Sequence, residues 1–315
     1  VNFSEKAGVN RVVSAWRIFW ALWKLRKETD ILHIGTFREL AAVWSLKQFG
    51  KFPTLYTVHW MPYVPASYSK KDLLEENFKK SRLKGFLLKK ADAVNHICKY
   101  WKKRVEEDYG VYGDVVYHGV DTETFKPSEK KPSEKVVVLT LGSNFGGRPM
   151  HGADIFFRVA RRIARKKKNV EFRLYGANNE NLRIPRELRK NFVKMYVSRE
   201  ELPRHIAQGD IFLLTSVFNL IPMSLLEAMS CGLPPVAFAI GGMPEVIGDG
   251  KDGFLIKDFD EEEMYDRILE LAEEPDKRIL MGRKARERIV EEFNLQRFWD
   301  GYRKIYERIG GIRDQ

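Results

Sequence analysis

The stretch from Ile211 to Glu245 constrains the fold of this chain more than any other. Ile211–Thr215 and Pro235–Ala239 are apolar runs of strand length, and a helix is punctuated between them. Pro222 stands where that helix begins, Ser224, Glu227 and Ala228 ride on it, and Gly232 and Pro234 end it. Proline suits a helix start and glycine a helix end. Gly241-Gly242 then form a tight turn. Glu227 therefore lies about one turn inside a helix whose free amides point at the mouth of a parallel sheet. Such a helix end attracts phosphate, because its unpaired N–H groups and dipole both favour an anion. A carboxylate just inside it can accept hydrogen bonds from hydroxyls. Ribose beside phosphate, which is to say a nucleotide, meets both conditions.

The same alternation runs through the whole chain and predicts an α/β architecture with parallel sheets. In the first half the strands are expected at Ile31–Ile34, Thr54–His59, Ala93–Ile97 and Val115–His118. In the second half they are expected at Val136–Leu141, Val170–Tyr175, Phe192–Tyr196, Ile211–Thr215, Pro235–Ala239 and Phe254–Ile256. Helices fill the gaps, notably over 152–166, 199–208, 223–230, 260–273 and 276–292. A polar SEKKPSEK segment after Pro127 reads as a linker. It places one domain over 1–128 and a second over 129–295, with a last helix in 296–315 returning to the first.

At 315 residues the chain has room for two domains. No apolar run reaches the roughly 18–20 residues of a membrane span, and no signal peptide is read at its start. Cys98 and Cys231 are too few for a disulfide framework and lack metal-site spacing, which points to a cytoplasmic protein. Of the net charge of +12, residues 1–130 carry 23 Lys and Arg against 15 Asp and Glu. That excess suits an acidic partner or is an ordinary solvated surface. It is dispersed and accompanied by no nucleic-acid motif, so a nucleic-acid partner is not expected. Arg11–Lys27 interleaves Trp16, Phe19, Trp20 and Trp23 with basic residues, and Phe78–Lys90 is basic and apolar together. Both patterns fit a helix lying at an anionic membrane surface, and equally a core helix with a charged outer face.

Glu227 in LLEAMSCGLPPV, followed by GGMPE, resembles the large family of retaining glycosyltransferases with the two-domain GT-B fold, family four of the sugar-nucleotide-dependent transferases. HGVDTETFKP resembles the segment that ends that family's first domain. The resemblance implies two Rossmann-like domains facing a cleft and transfer of a hexose from a nucleotide sugar to a hydroxyl acceptor, either a glycan or a lipid-linked molecule. It implies that Glu227 holds the ribose hydroxyls of the donor, with Pro222, Met223 and Ser224 at the helix start. The family's first glutamate, which faces the donor sugar, falls on Asn219. An amide can still grip sugar hydroxyls but cannot stabilise positive charge as a carboxylate would. The family's Arg and Lys diphosphate clamp falls in LGSNFGGRPMHGAD, where His151 takes the lysine position and Ser143 the arginine position, or Arg148 supplies the charge from a longer loop. Gly142 and Asn144 belong to the same loop. His59, at the end of a strand, stands where the family has a histidine near the donor sugar, and Tyr196–Val197 stand beside the base. Ala7-Gly8 is either the remnant of the acceptor loop, with Asn10–Arg26 as the helix after it, or that helix is a later one of the family's first domain; on both readings the family's opening strand is not expected in this sequence. Diphosphate charge can be met by helix amides and cationic side chains, so neither metal nor cofactor is required. Asn219, His151 and the short first domain also fit a catalytically impaired relative that binds a nucleotide.

Overall fold

The computed structural model describes residues 19–24, 30–50, 53–59, 82–129, 134–147 and 149–310. Gly8, Arg148, the polar run at 130–133, most of Arg11–Lys27 and the start of Phe78–Lys90 lie outside the described residues. Among the described residues, those before His118, together with the end of the chain from Phe298, form one compact unit, and His118–Arg297 form the other. HGVDTETFKP, assigned from sequence to the first domain, thus lies with the second unit. The Val120 amide donates to the Phe293 carbonyl (2.9 Å), and Phe125 is 3% exposed.

The first unit holds a four-stranded parallel sheet in the order β1 (Leu32–Ile34), β2 (Thr54–Val58), β3 (Ala93–His96), β4 (Asp114–Val115). Helix α1 (Phe37–Leu46) starts with a capping box, in which the Thr36 hydroxyl accepts from the Glu39 amide and the Glu39 carboxylate accepts from the Thr36 amide. Helices α2 (Arg82–Leu88) and α3 (Lys99–Tyr109) complete the alternation. β4 starts one residue before the expected Val115 and stops short of the expected His118; the Val116 amide just beyond it donates to both the His96 carbonyl (3.1 Å) and the Asn95 side chain (2.8 Å). From Phe298 onward the last helix of the chain places Phe298, Tyr302, Ile305, Tyr306 and Ile309 on one stripe against Leu55, Ala93 and Val116.

The second unit is a six-stranded sheet of β5 (Val136–Leu141), β6 (Val170–Tyr175), β7 (Phe192–Met195), β8 (Ile211–Leu214), β9 (Pro235–Phe238) and β10 (Phe254–Ile256). Its order is β10-β9-β8-β5-β6-β7, with every pair parallel. The helices are α4 (Ala153–Lys166), α5 (Leu202–Ile206), α6 (Met223–Ser230), α7 (Met243–Val246), α8 (Glu261–Glu273) and α9 (Pro275–Glu292); α10 (Leu295–Gly310) is the last helix described above. Strands covered on both faces need apolar side chains on both, and VVVLTL in β5 and IFLL in β8 are almost wholly buried. Ile155, Phe156, Val159, Ala160 and Ile163 of α4 and Met264, Ile268 and Leu271 of α8 bury the apolar stripes that close the same core. Both sheets are parallel throughout and alternate with helices, as the α/β expectation requires.

Candidate functional site

The strand order of the second sheet reverses between β8 and β5. In an open parallel sheet the crossovers leave on opposite faces at such a point, so the carboxyl ends of the strands part into a crevice. A cavity of about 750 Å³ lies there. Leu141, Gly142, Ser143 and Phe145 line it from the end of β5 and the loop beyond, and Tyr175, Gly176 and Ala177 from the end of β6. Tyr196, Val197, Arg199 and Leu202 come from the β7–α5 connection, and Leu214, Ser216 and Asn219 follow β8. Pro222, Met223, Ser224 and Glu227 belong to the start and first turns of α6, and His151 completes the lining.

Helix α6 is buried from Leu225 to Ser230, and this carries Glu227 into the protein at 3% exposure. Pro222 takes the N-cap position (φ −74°, ψ 138°) and no side chain caps the helix. The first amides of α6 therefore have no side-chain acceptor and stand at the cavity. Glu227 Oε1 accepts a hydrogen bond from Arg199 Nη1 at 2.6 Å. Arg199 is the one Arg or Lys, and Glu227 the one carboxylate, among the described lining residues.

The loop after β5 is held by its neighbour as well as by its own turn, in which the Gly147 amide donates to the Asn144 carbonyl (3.1 Å). Asn179 Oδ1 accepts from the Phe145 amide (2.7 Å), and its Nδ2 donates to the carbonyls of Gly142 (2.7 Å) and Gly176 (3.1 Å). Lys194 Nζ in turn donates to the carbonyls of Asn179, Glu180 and Leu182. On the other side, Thr215 Oγ1 donates to the His151 carbonyl (3.0 Å) and the Val217 amide to the Met150 carbonyl (2.9 Å). Gly152 makes that approach possible: it sits at φ 65°, and a Cβ there would lie 2.0 Å from the Thr215 carbonyl oxygen. Asn219 is fixed from the GG turn, where Gly241 at φ 53° leaves no room for a Cβ against the Asn219 carbonyl oxygen.

The structure therefore brings together Gly142, Ser143, His151, Tyr196, Val197, Asn219, Pro222, Met223, Ser224 and Glu227. Asn144 is not among the lining residues; at φ 50° it shapes the turn, and its amide donates to the Ala177 carbonyl (2.9 Å). Gly242 and Glu245 do not line the cavity either. His59 follows β2 in the first unit, where burial lowers its pKa. Arg199, Tyr175 and the Gly176–Ala177 turn were not anticipated. Arg199 falls at the start of the helix expected over 199–208, and its partner stands 28 residues further along the chain.

Residues 135–274 match the family model described as Glycosyl transferases group 1, and residues 4–124 that described as Glycosyltransferase Family 4. An uncharacterized glycosyltransferase of Methanocaldococcus jannaschii is 25% identical over 314 residues, covering 94% of this chain and 79% of that protein. Other curated relatives align over 56% and 58% of their own length. Among solved structures, sucrose-phosphate synthase of Thermosynechococcus elongatus superposes with a TM-score of 0.78 at 16% identity, covering 95% of this chain and 79% of that one. HepE of Anabaena, solved with UDP-glucose, superposes with a TM-score of 0.74 at 18% identity, covering 93% and 82%. With glycosyltransferase family models matched in both halves and this architecture around the crevice, the chain is a glycosyltransferase of the GT-B fold.

Proposed function

We propose that the cavity takes the nucleoside diphosphate part of a sugar nucleotide, and that the protein transfers a hexosyl group from it to a hydroxyl acceptor with retention at the anomeric carbon. The observation that carries this reading is Glu227. A carboxylate buried beside the open amides of α6, at the strand-order reversal, can accept from ribose hydroxyls while those amides and the Gly142–Ser143 backbone meet the diphosphate. Tyr196 and Val197 offer backbone groups to the base. Asn219 is assigned to the hydroxyls of the donor sugar, and His151 to the phosphate side. In the transfer, the bond from the anomeric carbon to the diphosphate oxygen breaks as the bond to the acceptor oxygen forms on the same face. The acceptor proton passes to the departing phosphate. The donor bound in HepE has the chemistry this pocket would take.

The acceptor side is assigned to the first unit, with a glycan or a lipid-linked hydroxyl as acceptor. Exposed Trp20, Phe49, Leu83 and Phe86, with Lys90 over the Phe86 ring at 5.1 Å, support peripheral contact with an anionic membrane from the cytoplasmic side. No helix among the described residues is long and apolar enough to cross a membrane. No metal or cofactor is assigned to the reaction.

A second reading, a nucleotide-binding relative without transfer activity, is favoured by one observation. Asn219 and His151, which stand where the resemblance has a glutamate and a lysine, both line the cavity. Incubation with UDP-, GDP- and ADP-hexoses, followed by NMR of the products, separates the two. Consumption of one donor, with the anomeric configuration kept in the product, is expected. Nucleotide binding with no donor consumed would replace the first reading by the second.

A further inference from the structure

Arg199 and Glu227 close a circuit of contacts around the cavity. Arg199 Nη1 donates to Glu227 Oε1 at 2.6 Å, and its guanidinium lies over the Phe125 ring at 4.9 Å. Phe125 is anchored in turn to the helix that carries Glu227, because its carbonyl accepts from Ser230 Oγ at 2.5 Å and from Arg286 Nη1 at 3.1 Å. Glu227 and Ser230 are one helical turn apart, so both ends of the circuit rest on α6. The TETF part of HGVDTETFKP thus supplies the aromatic platform on which the guanidinium is held.

The contact is made by a single nitrogen to a single oxygen. A carboxylate has two oxygens and about four acceptor sites. Among the described residues Glu227 Oε2 has no hydrogen-bond partner, while the carboxylate lines the cavity. Two roles for the arginine are then distinct. It could compete with ribose for the carboxylate, or it could fix Oε1 and leave Oε2 presented to a ligand. The geometry favours the second. The partner side chains are very unequally exposed, 61% for Arg199 and 4% for Glu227. A carboxylate so buried is oriented by a fixed partner, and the guanidinium stacked on Phe125 provides one through Oε1 alone.

We propose that Arg199 is a positioning residue that acts through Glu227 to confer recognition of the ribose hydroxyls, with Phe125 as its platform. The proposal rests on the reading of Glu227 as the ribose-binding carboxylate. It makes ribose selectivity, rather than affinity for phosphate, the property that Arg199 controls.

The test compares binding of a nucleoside diphosphate with that of its 2′,3′-dideoxy counterpart by calorimetry, using whichever of UDP, GDP and ADP the wild type binds best. Removing hydroxyls that bond a carboxylate is expected to weaken wild-type binding about 10-fold or more. In Arg199→Ala the ratio of the two Kd values is expected to collapse toward one, with the dideoxy Kd little changed. Arg199→Lys is expected to restore part of the ratio, and Arg199→Gln less. Thermal unfolding is measured for each variant, because Arg199→Ala leaves the buried Glu227 carboxylate without its partner and is expected to lower the midpoint; the ratio of the two Kd values, taken on folded protein, is the readout. A wild-type ratio retained in Arg199→Ala overturns the positioning role while leaving the nucleotide reading intact. Tighter ribonucleotide binding by Arg199→Ala overturns it in favour of competition. Loss of both ligands overturns it in favour of a direct phosphate contact. A wild type that binds no nucleoside diphosphate overturns the nucleotide reading and the proposal together.

Discussion

His96 links a single side chain to the pH dependence of the whole fold. It ends β3 fully buried, and neither ring nitrogen has a hydrogen-bond partner among the described residues. Burial first, then the Lys102 charge, push its pKa down to about 4, against a smaller upward pull from Asp114. The folded protein therefore holds it neutral, whereas the unfolded chain protonates it near its ordinary value of 6.5. Between those values the unfolded state binds more protons, so stability falls as pH falls through that window and levels off below it. At about 1.4 kcal/mol per pH unit the loss is on the order of 3 kcal/mol. Urea unfolding at about pH 7 and about pH 4.5 should show a larger drop for wild type than for His96→Leu; equal drops would contradict this account. Residues of this kind mark the limit of the sequence. Glu227 was legible because its motif surrounds it, and Asn219 because of its spacing from Glu227. Arg199 and His96 owe their character to neighbours that are distant in sequence.

Elements were more legible than their connections. Val136–Leu141, Val170–Tyr175, Phe254–Ile256 and the helix over 223–230 agree end to end with expectation, because strands buried on both faces appear as apolar runs and Gly or Pro bounds them. The helix expected over 199–208 is shorter, Leu202–Ile206, with Pro203 in its first turn fixing where it starts. The loop in which the resemblance puts the diphosphate clamp is tied to the loop after β6 through Asn179. That tie depends on which strands are neighbours, and sequence periodicity does not carry strand order. Gly152 tests how tightly the elements are set. Gly152→Ala would place a methyl in a left-handed backbone against the Thr215 carbonyl, and is expected to cost at least about 2 kcal/mol. Chemical denaturation, alongside nucleotide titration, should show both stability and affinity reduced. A variant as stable as wild type would mean that the His151 turn can shift without strain.

At the scale of the molecule, the sheet built early in the chain is completed by the chain's end. Tyr302 of α10 sits between Thr57 Oγ1 (3.1 Å) and Asn95 Nδ2 (3.0 Å), and His33 bridges Thr57 and Tyr306 at 2.7 Å each. Tyr302→Phe leaves those buried groups short of a partner and is expected to cost about 1–3 kcal/mol. Every residue lining the cavity belongs to the other unit, so nucleoside diphosphate affinity should be unchanged in that variant. A loss of affinity would show that the site depends on more than the second unit. The α/β class and its parallel sheets were legible as alternation, and the reversal of strand order that creates the crevice was not. The central claim is that this crevice is a nucleotide site organised by Glu227. Calorimetric titration of wild type and Glu227→Ala with UDP, GDP and ADP and their hexose conjugates tests it most directly. The account predicts saturable binding of one nucleotide to wild type, weakened at least about 10-fold in Glu227→Ala. Equal binding by the two proteins, or none by wild type, would contradict it.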